Sequence, residues 1–270
     1  FLIFSCFSYT CCTGREWIPF GSSKTNTFSG SIDGKGHKIV GLSNKFTDSS
    51  KLPQFVPTSS GVSGSVFGLI AQACFESDTS LTVRNLTLDK VDIDGDDIKG
   101  GAALIGLFGD RKIENGKTCE NVSLTVENVT VSGNVVGTDK VAGFVGAASH
   151  HNYIQGHVIS FANCTNNATI EAKSGSARAA GFVGQFGDGH GDANHVTASS
   201  LTFDGCVNNG NVTSSATSGK TWAGAFIAHA NYETGTKVTV EIKGNCSNTG
   251  TITNSSDSTR ISILDNNLGK

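Results

Sequence analysis

The sequence predicts an all-β chain, a parallel β-solenoid with long projecting loops and roughly 37–43 residues per repeat, and three observations predict it. A Gly-centred apolar tetrad recurs as Gly68-Leu-Ile-Ala71, Gly106-Leu-Phe-Gly109, Gly143-Phe-Val-Gly146, Gly181-Phe-Val-Gly184 and Gly224-Ala-Phe-Ile227, at intervals of 38, 37, 38 and 43 residues. A second motif, Cys-x-Asn-[Asn/Thr]-[Gly/Ala]-x-[Ile/Val], begins at Cys164, Cys206 and Cys246, and Val129 to Val135 follows it with Val in place of Cys. Apolar residues alternate with Thr, Asn or Ser at period two, and no window holds a sustained 3.6-residue apolar stripe. Repeats of this length cannot bury an apolar face alone, so they must stack and share one core.

Taken in chain order, residues 1–16 open with the apolar run Phe1 to Cys12, which has the length of a secretion-signal core but no initiator Met and no basic lead. It is too short to span a bilayer. It reads as a cap on the first coil or as a strand laid against a neighbouring subunit, because the terminal coils of a solenoid expose unpaired edges. Residues 17–255 form the solenoid, with short strands at Leu81-Thr-Val83, Leu124-Thr-Val126, Val158-Ile-Ser-Phe161, Leu201-Thr-Phe203 and Val238-Thr-Val240. Equal offsets in successive coils place Asn166, Asn208 and Asn248 above one another, about 4.8 Å apart, as an amide column. Cys164, Cys206 and Cys246 line the interior beside it. The tetrad glycines fit turns or close approaches that a Cβ would block. Residues 256–270 form a C-terminal cap or tail.

The stretch Trp17-Ile-Pro-Phe-Gly21, then Phe28 to Leu42, followed by the tetrads and the Cys-x-Asn units, resembles the GLUG-repeat proteins and related right-handed parallel β-helices of cell-surface adhesins, over roughly residues 17 to 255. The resemblance implies a single right-handed, extracellular β-helix with a surface or adhesive role, and it carries over no catalytic residue. The repeats here are longer, and the eight cysteines more numerous, than that pattern leads one to expect. Long loops tied by disulfides account for both.

Charged residues make up 16% of the chain and the net charge is -3, with no Lys/Arg cluster, so a nucleic-acid surface is excluded. Polarity comes instead from Ser, Thr and Asn. Eight Asn-x-Ser/Thr sequons, at Asn85, Asn121, Asn128, Asn163, Asn167, Asn211, Asn245 and Asn254, are candidates for N-linked glycans. Asn163 and Asn245 each precede an interior Cys, so alternation points them outward, and Asn85 and Asn128 occupy similar positions. The cysteines form an even set: Cys6, Cys11, Cys12, Cys74, Cys119, Cys164, Cys206 and Cys246. Eight allow 105 pairings. Cys74 with Cys119 is the first bridge to expect, with Cys6, Cys11 and Cys12 as further candidates; the stacked three serve equally well as reduced thiols. No compact Cys/His spacing suggests zinc.

His150-His-Asn-Tyr153 and His229-Ala-Asn-Tyr232 share a form two repeats apart, with His190 and Asp192 in the loop between. These loops, each following a tetrad, project from one edge and gather His150, Asn152, Tyr153, His190, Asp192, His229, Asn231 and Tyr232, a set suited to a sugar or metal ion; plain loop decoration explains it as well. Calcium is the cofactor the acidic run Asp89, Asp92, Asp94, Asp96 and Asp97 invites. The spacing is not that of an EF-hand, and alternation sends some of these carboxylates to opposite faces. The expected function is therefore an extracellular structural or adhesive glycoprotein without catalysis, a building block of a surface layer, matrix or filament that self-associates end to end. The other class is a polysaccharide-binding or polysaccharide-cleaving β-helix. Its candidate carboxylates Asp110, Asp188 and Asp192 lack a matching basic cluster, and the only arginines are Arg15, Arg84, Arg111, Arg178 and Arg260.

Overall fold

The structure is a computed structural model of the 270-residue chain and describes residues 2–3, 9–10, 17–21, 27–46, 65–95, 98–109, 119–148, 156–187, 199–216, 219–230, 238–256 and 261–262. Among these residues there is no helix, and the strands form three sheets in which every pairing is parallel. The first sheet has 15 strands, among them Ser80–Gly95, Ser123–Gly137, Val158–Ala162, Ser199–Asp204 and Val238–Lys243. The second has six: Ser65–Phe67, Ile98–Ala102, Lys140–Ala142, Arg178–Ala180, Trp222–Gly224 and Ile261–Ser262. The third has five: Ile70–Ala73, Ile105–Phe108, Val145–Ala148, Val183–Phe186 and Ile227–Ala230. Each repeat visits the first, second and third sheets in turn, then returns to the first. At the N-terminal side Leu2–Ile3 pairs with Ile32–Asp33, and Tyr9–Thr10 with Ile39–Val40.

Alternation explains the first sheet. In Ser80–Gly95 the residues Leu81, Val83, Leu86, Leu88, Val91 and Ile93 are buried, and Thr82, Thr87 and Asp92 lie between them on the outer face. The inward side chains stack on themselves. Phe144, Phe182 and Phe226 form one column, with successive ring centroids 4.6 and 5.1 Å apart, and Phe161 lies 5.3 Å beneath Phe203 in a second. The columns meet edge to face at 5.3–5.7 Å. Each such pair adds about 0.5–1.5 kcal/mol to what burial supplies.

The amide column forms as expected. Asn166 donates to Asn208 Oδ1 at 2.7 Å and Asn208 to Asn248 Oδ1 at 2.7 Å, while each Nδ2 also reaches the carbonyl two residues on, in Ala168, Gly210 and Gly250. A buried amide demands partners, and in this arrangement each finds them in its neighbour. In the earlier repeats the same register position is held by the apolar residues Ile39, Leu88 and Val131.

The tetrads require a correction. Strand register aligns Ile70, Ile105, Val145, Val183 and Ile227, so the equivalent units are Gly68-Leu-Ile-Ala71, Ala103-Leu-Ile-Gly106, Gly143-Phe-Val-Gly146, Gly181-Phe-Val-Gly184 and Ala225-Phe-Ile-Ala228. Gly106 therefore belongs to the last position of its tetrad, and Gly224 falls just before its own. The first small residue makes room for the amide column: a Cβ on Gly143 would sit 2.6 Å from Asn166 Oδ1, and one on Gly181 would strike Asn208 Oδ1 and the Ala225 carbonyl.

Cys74 and Cys119 are buried thiols and not halves of a cystine, which corrects the bridge expected between them. Cys119 Sγ approaches His157 Nε2 at 3.8 Å, and that ring nitrogen donates to the Cys119 carbonyl at 3.0 Å, pinning the turn. Burial pushes the Cys74 thiol up to about 11. Cys164, Cys206 and Cys246 are reduced too: Cys206 Sγ donates to the Phe161 carbonyl at 3.5 Å, and Cys246 Sγ accepts the Cys206 N–H at 3.2 Å. The hydrogen bond with Cys164, followed by burial, holds the Cys206 thiol well above the ordinary range. Cys6, Cys11 and Cys12 lie outside the described residues.

Candidate functional site

Where the second sheet bends into the third, side chains directed away from the main core pack together in a seam of their own. The second sheet contributes the register column Val66, Gly100, Lys140, Arg178 and Trp222. The third contributes Gln72, Leu107, Ala147, Gln185 and His229. Val66 packs with Leu107 and Ala147 at one end, and Trp222 packs on Ala142, Ala180 and Ala228 near the other. The last small residue of each tetrad permits the bend: a Cβ on Gly146 would lie 2.9 Å from the Lys140 carbonyl, and one on Gly184 would lie 3.2 Å from that of Arg178.

The polar chemistry gathers toward Trp222. Asp139 pairs with Lys140 Nζ at 2.5 Å and accepts from Arg178 at 2.8 Å, and the Lys140 side chain is only 3% exposed. The Arg178 guanidinium lies 5.0 Å from the centre of the Trp222 ring, which is 4.3 Å from the His229 imidazole. Gln185 is fully buried and donates to the Gly187 carbonyl at 2.7 Å. Its Oε1 has no partner, and neither does Arg178 Nε.

Of the residues the sequence singled out at this edge, His229 is in the seam, against Trp222. His150, Asn152, Tyr153, His190, Asp192, Asn231 and Tyr232 lie outside the described residues, as do Asp110 and Asp188. Ala148, Phe186 and Ala230, the strand ends from which those segments depart, are in register. Sequence reasoning missed Asp139, Lys140, Gln185 and Trp222 and gave Arg178 no role in a site. A signal was present: Lys140, Arg178 and Trp222 each stand three residues before the first small residue of the corrected tetrad.

The sequons divide by burial. Asn121, Asn128, Asn163, Asn167, Asn211 and Asn245 are exposed, Asn85 is half-buried, and Asn254 is buried with its Nδ2 on the Thr221 carbonyl at 2.9 Å. Asn85, Asn121, Asn128 and Asn163 are left-handed turn residues with φ of 52–54°. This is a conformation that Asn tolerates better than most. In the acidic run, Asp89, Asp92 and Asp94 all lie on the outer side, whereas alternation alone would separate them. Lys90, left-handed at φ 55°, resets the alternation between Asp89 and Asp92. Asp89 accepts from Ser132 at 2.8 Å, and Asp94 lies 3.8 Å from Lys173. Among the described residues no group of three His, Cys, Asp or Glu is placed to hold a metal, and no helix is long and apolar enough to cross a membrane.

No protein-family model matches the chain. Over 142 residues, 50% of its length, the chain is 32% identical to Halomucin from Haloquadratum walsbyi, of which it spans 1%. A crystal structure from Bacteroides ovatus, described as a "putative immunoglobulin A1 protease", is similar with a TM-score of 0.52 at 18% identity, over 87% of this chain and 57% of that one. That second likeness concerns the fold alone.

Proposed function

We propose that this chain is a rigid, non-catalytic building block of an extracellular or cell-surface layer, matrix or filament, wound as a single right-handed parallel β-helix of the GLUG-repeat kind. The observation that carries this reading is the vertical bonding of like to like. The amide column and the stacked phenylalanines tie each repeat to the next through the interior, a construction that resists bending along its axis. A Ser-, Thr- and Asn-rich exterior with exposed sequons suits a sugar-coated wall, and the partial likeness to Halomucin supports a surface setting.

The test is to secrete the full chain from a eukaryotic host and image it by negative stain. The secreted protein is then treated with an N-glycanase and mapped by peptide mass spectrometry, and it is incubated with a panel of polysaccharides. Straight rods, glycans at exposed sequons and intact polysaccharide are the expected outcome. Shortened polysaccharide products, or a compact globular particle, would overturn the reading.

A further inference from the structure

We infer that Cys206 and Cys246 are a thiol pair that a small-molecule disulfide converts into an intramolecular bridge, stapling the repeat of Val238–Lys243 to the repeat beneath it. The inference goes beyond the surface-module reading and draws on it only for the oxidising surroundings in which such a reagent is met. Three thiols stand in one column, on Cys164, Cys206 and Cys246, each two residues before an asparagine of the amide column. Backbone bonds hold their coils in step: the Val207 N–H donates to the Cys164 carbonyl at 2.9 Å, and the Ser247 N–H to the Cys206 carbonyl at 3.0 Å. Neighbouring strands held in this way lie about 4.8 Å apart, and a disulfide spans Cα separations of about 4.4–6.8 Å. Cys246 Sγ also accepts the Cys206 N–H at 3.2 Å, which sets that sulfur against the residue whose thiol it would join.

Three sulfurs take one bridge, and access and freedom of movement select which. Cys164 and Cys206 are fully buried, and the coil of Cys164 is bonded to repeats on both sides. Cys246 is half-buried, and among the described residues its coil is bonded on one side only. It is therefore the thiol that a solvent-borne disulfide reaches first, on the coil that can yield to the S–S length of about 2 Å. Cys206 is the next sulfur in the column. Cys164 stays reduced, with the Val126 carbonyl at 3.4 Å as acceptor for its S–H.

The chemistry is two successive exchanges. The Cys246 thiolate attacks a disulfide RSSR, forming Cys246–S–S–R and expelling one RS⁻. The Cys206 thiolate then attacks Cys246 Sγ, forming the bridge and expelling the second RS⁻. The two protons given up by the thiols end on the two RS⁻, so the pair is oxidised by two electrons and RSSR is reduced to two RSH. The bridge joins positions 40 residues apart and limits how far the repeat carrying the half-buried Val240, Ile242 and Ile252 can open.

The experiment incubates the full, reduced chain with oxidised glutathione under mildly alkaline, native conditions, blocks the remaining thiols with an alkylating mass tag and maps tryptic peptides. Lys173, Lys220 and Lys243 place Cys164, Cys206 and Cys246 in separate peptides. The expected result is a cross-linked pair of peptides carrying Cys206 and Cys246, with Cys164 tagged, and a rise of at least about tenfold in amide-exchange protection over residues 239–254 that a reducing agent reverses. In Cys164→Ser the bridge should still form. In Cys246→Ser it should not, with thermal unfolding of each variant as the control for folding. Cys246 held only as its glutathione adduct, a bridge between Cys164 and Cys206 instead, all three thiols tagged, or a bridge that leaves exchange unchanged would each overturn the inference. The mapping is made on the native chain, so it decides even where a variant fails to fold. A globular particle in negative stain would overturn the rod and leave the bridge standing, so the two failures are distinguishable.

Discussion

Asn208 is the residue on which two repeats depend: it accepts from Asn166, donates to Asn248 and caps the Gly210 carbonyl, all without solvent contact. Replacing it with Ala orphans an amide above and below. Asn208→Ala should therefore lower unfolding stability by at least about 2 kcal/mol, read as a reduced denaturant midpoint at unchanged slope. The half-buried Asp33 makes a different kind of bond. Its carboxylate accepts the Lys35 N–H, Asn85 Nδ2 and Arg84 Nε at 3.0–3.2 Å, and the Lys35 N–H first, then Asn85, holds it below the ordinary value of 3.8. A depressed folded value means stability that is complete above the unfolded value and lost as pH falls through the folded one. The difference in urea midpoint between the native chain and Asp33→Asn should accordingly shrink between about pH 5 and pH 2. A difference that stayed constant with pH would show that the carboxylate charge has no part in holding that turn.

The tetrad shows what an element can and cannot reveal of itself in sequence. Gly181 is required because a Cβ would strike both the amide column and the backbone of the next repeat, so Gly181→Val should cost several kcal/mol and depress secretion, whereas Ala225→Gly at the equivalent position should be mild. Comparative expression and thermal melts check the pair. The Cys-x-Asn motif gave its register directly, because each Asn must meet another Asn and the position admits little else. The tetrad misled at two repeats because its first column accepts Ala103 and Ala225 in place of Gly, while Gly106 and Gly224 serve neighbouring positions. The strand alternation and the amide column were thus legible in the residues. The seam was not: Trp222 and His229 come from different sheets, and only the bend at each tetrad, a property of backbone packing, brings their rings together.

At the scale of the whole molecule, a stack of repeats holds itself together through neighbour contacts, so stability depends on how many bonded neighbours a repeat has. The middle repeats are paired on both sides: Ser123–Gly137 has Ser80–Gly95 on one side and both Val158–Ala162 and Thr165–Ala172 on the other. Toward Val238–Lys243 and Ile252–Asn254 the same inward positions, Val240, Ile242, Cys246 and Ile252, are only half-buried. Hydrogen exchange should therefore proceed as a gradient and not as one cooperative event, slowest at Leu124, Val145, Phe161 and Phe182 and fastest along residues 239–254. The aromatic columns sharpen the gradient, because opening the repeat that holds Phe226 removes one stacked neighbour from Phe182, whereas opening that of Phe182 removes two rings from contact at once. Asn208→Ala should steepen it further, lowering protection on the Asn248 side of the break more than on the Asn166 side, which is backed by Val131 and Val135, packed between two fully formed repeats. Uniform exchange along the chain, unchanged by that substitution, would mean that the repeats unfold as one body and that the interior columns do not set the coupling between them.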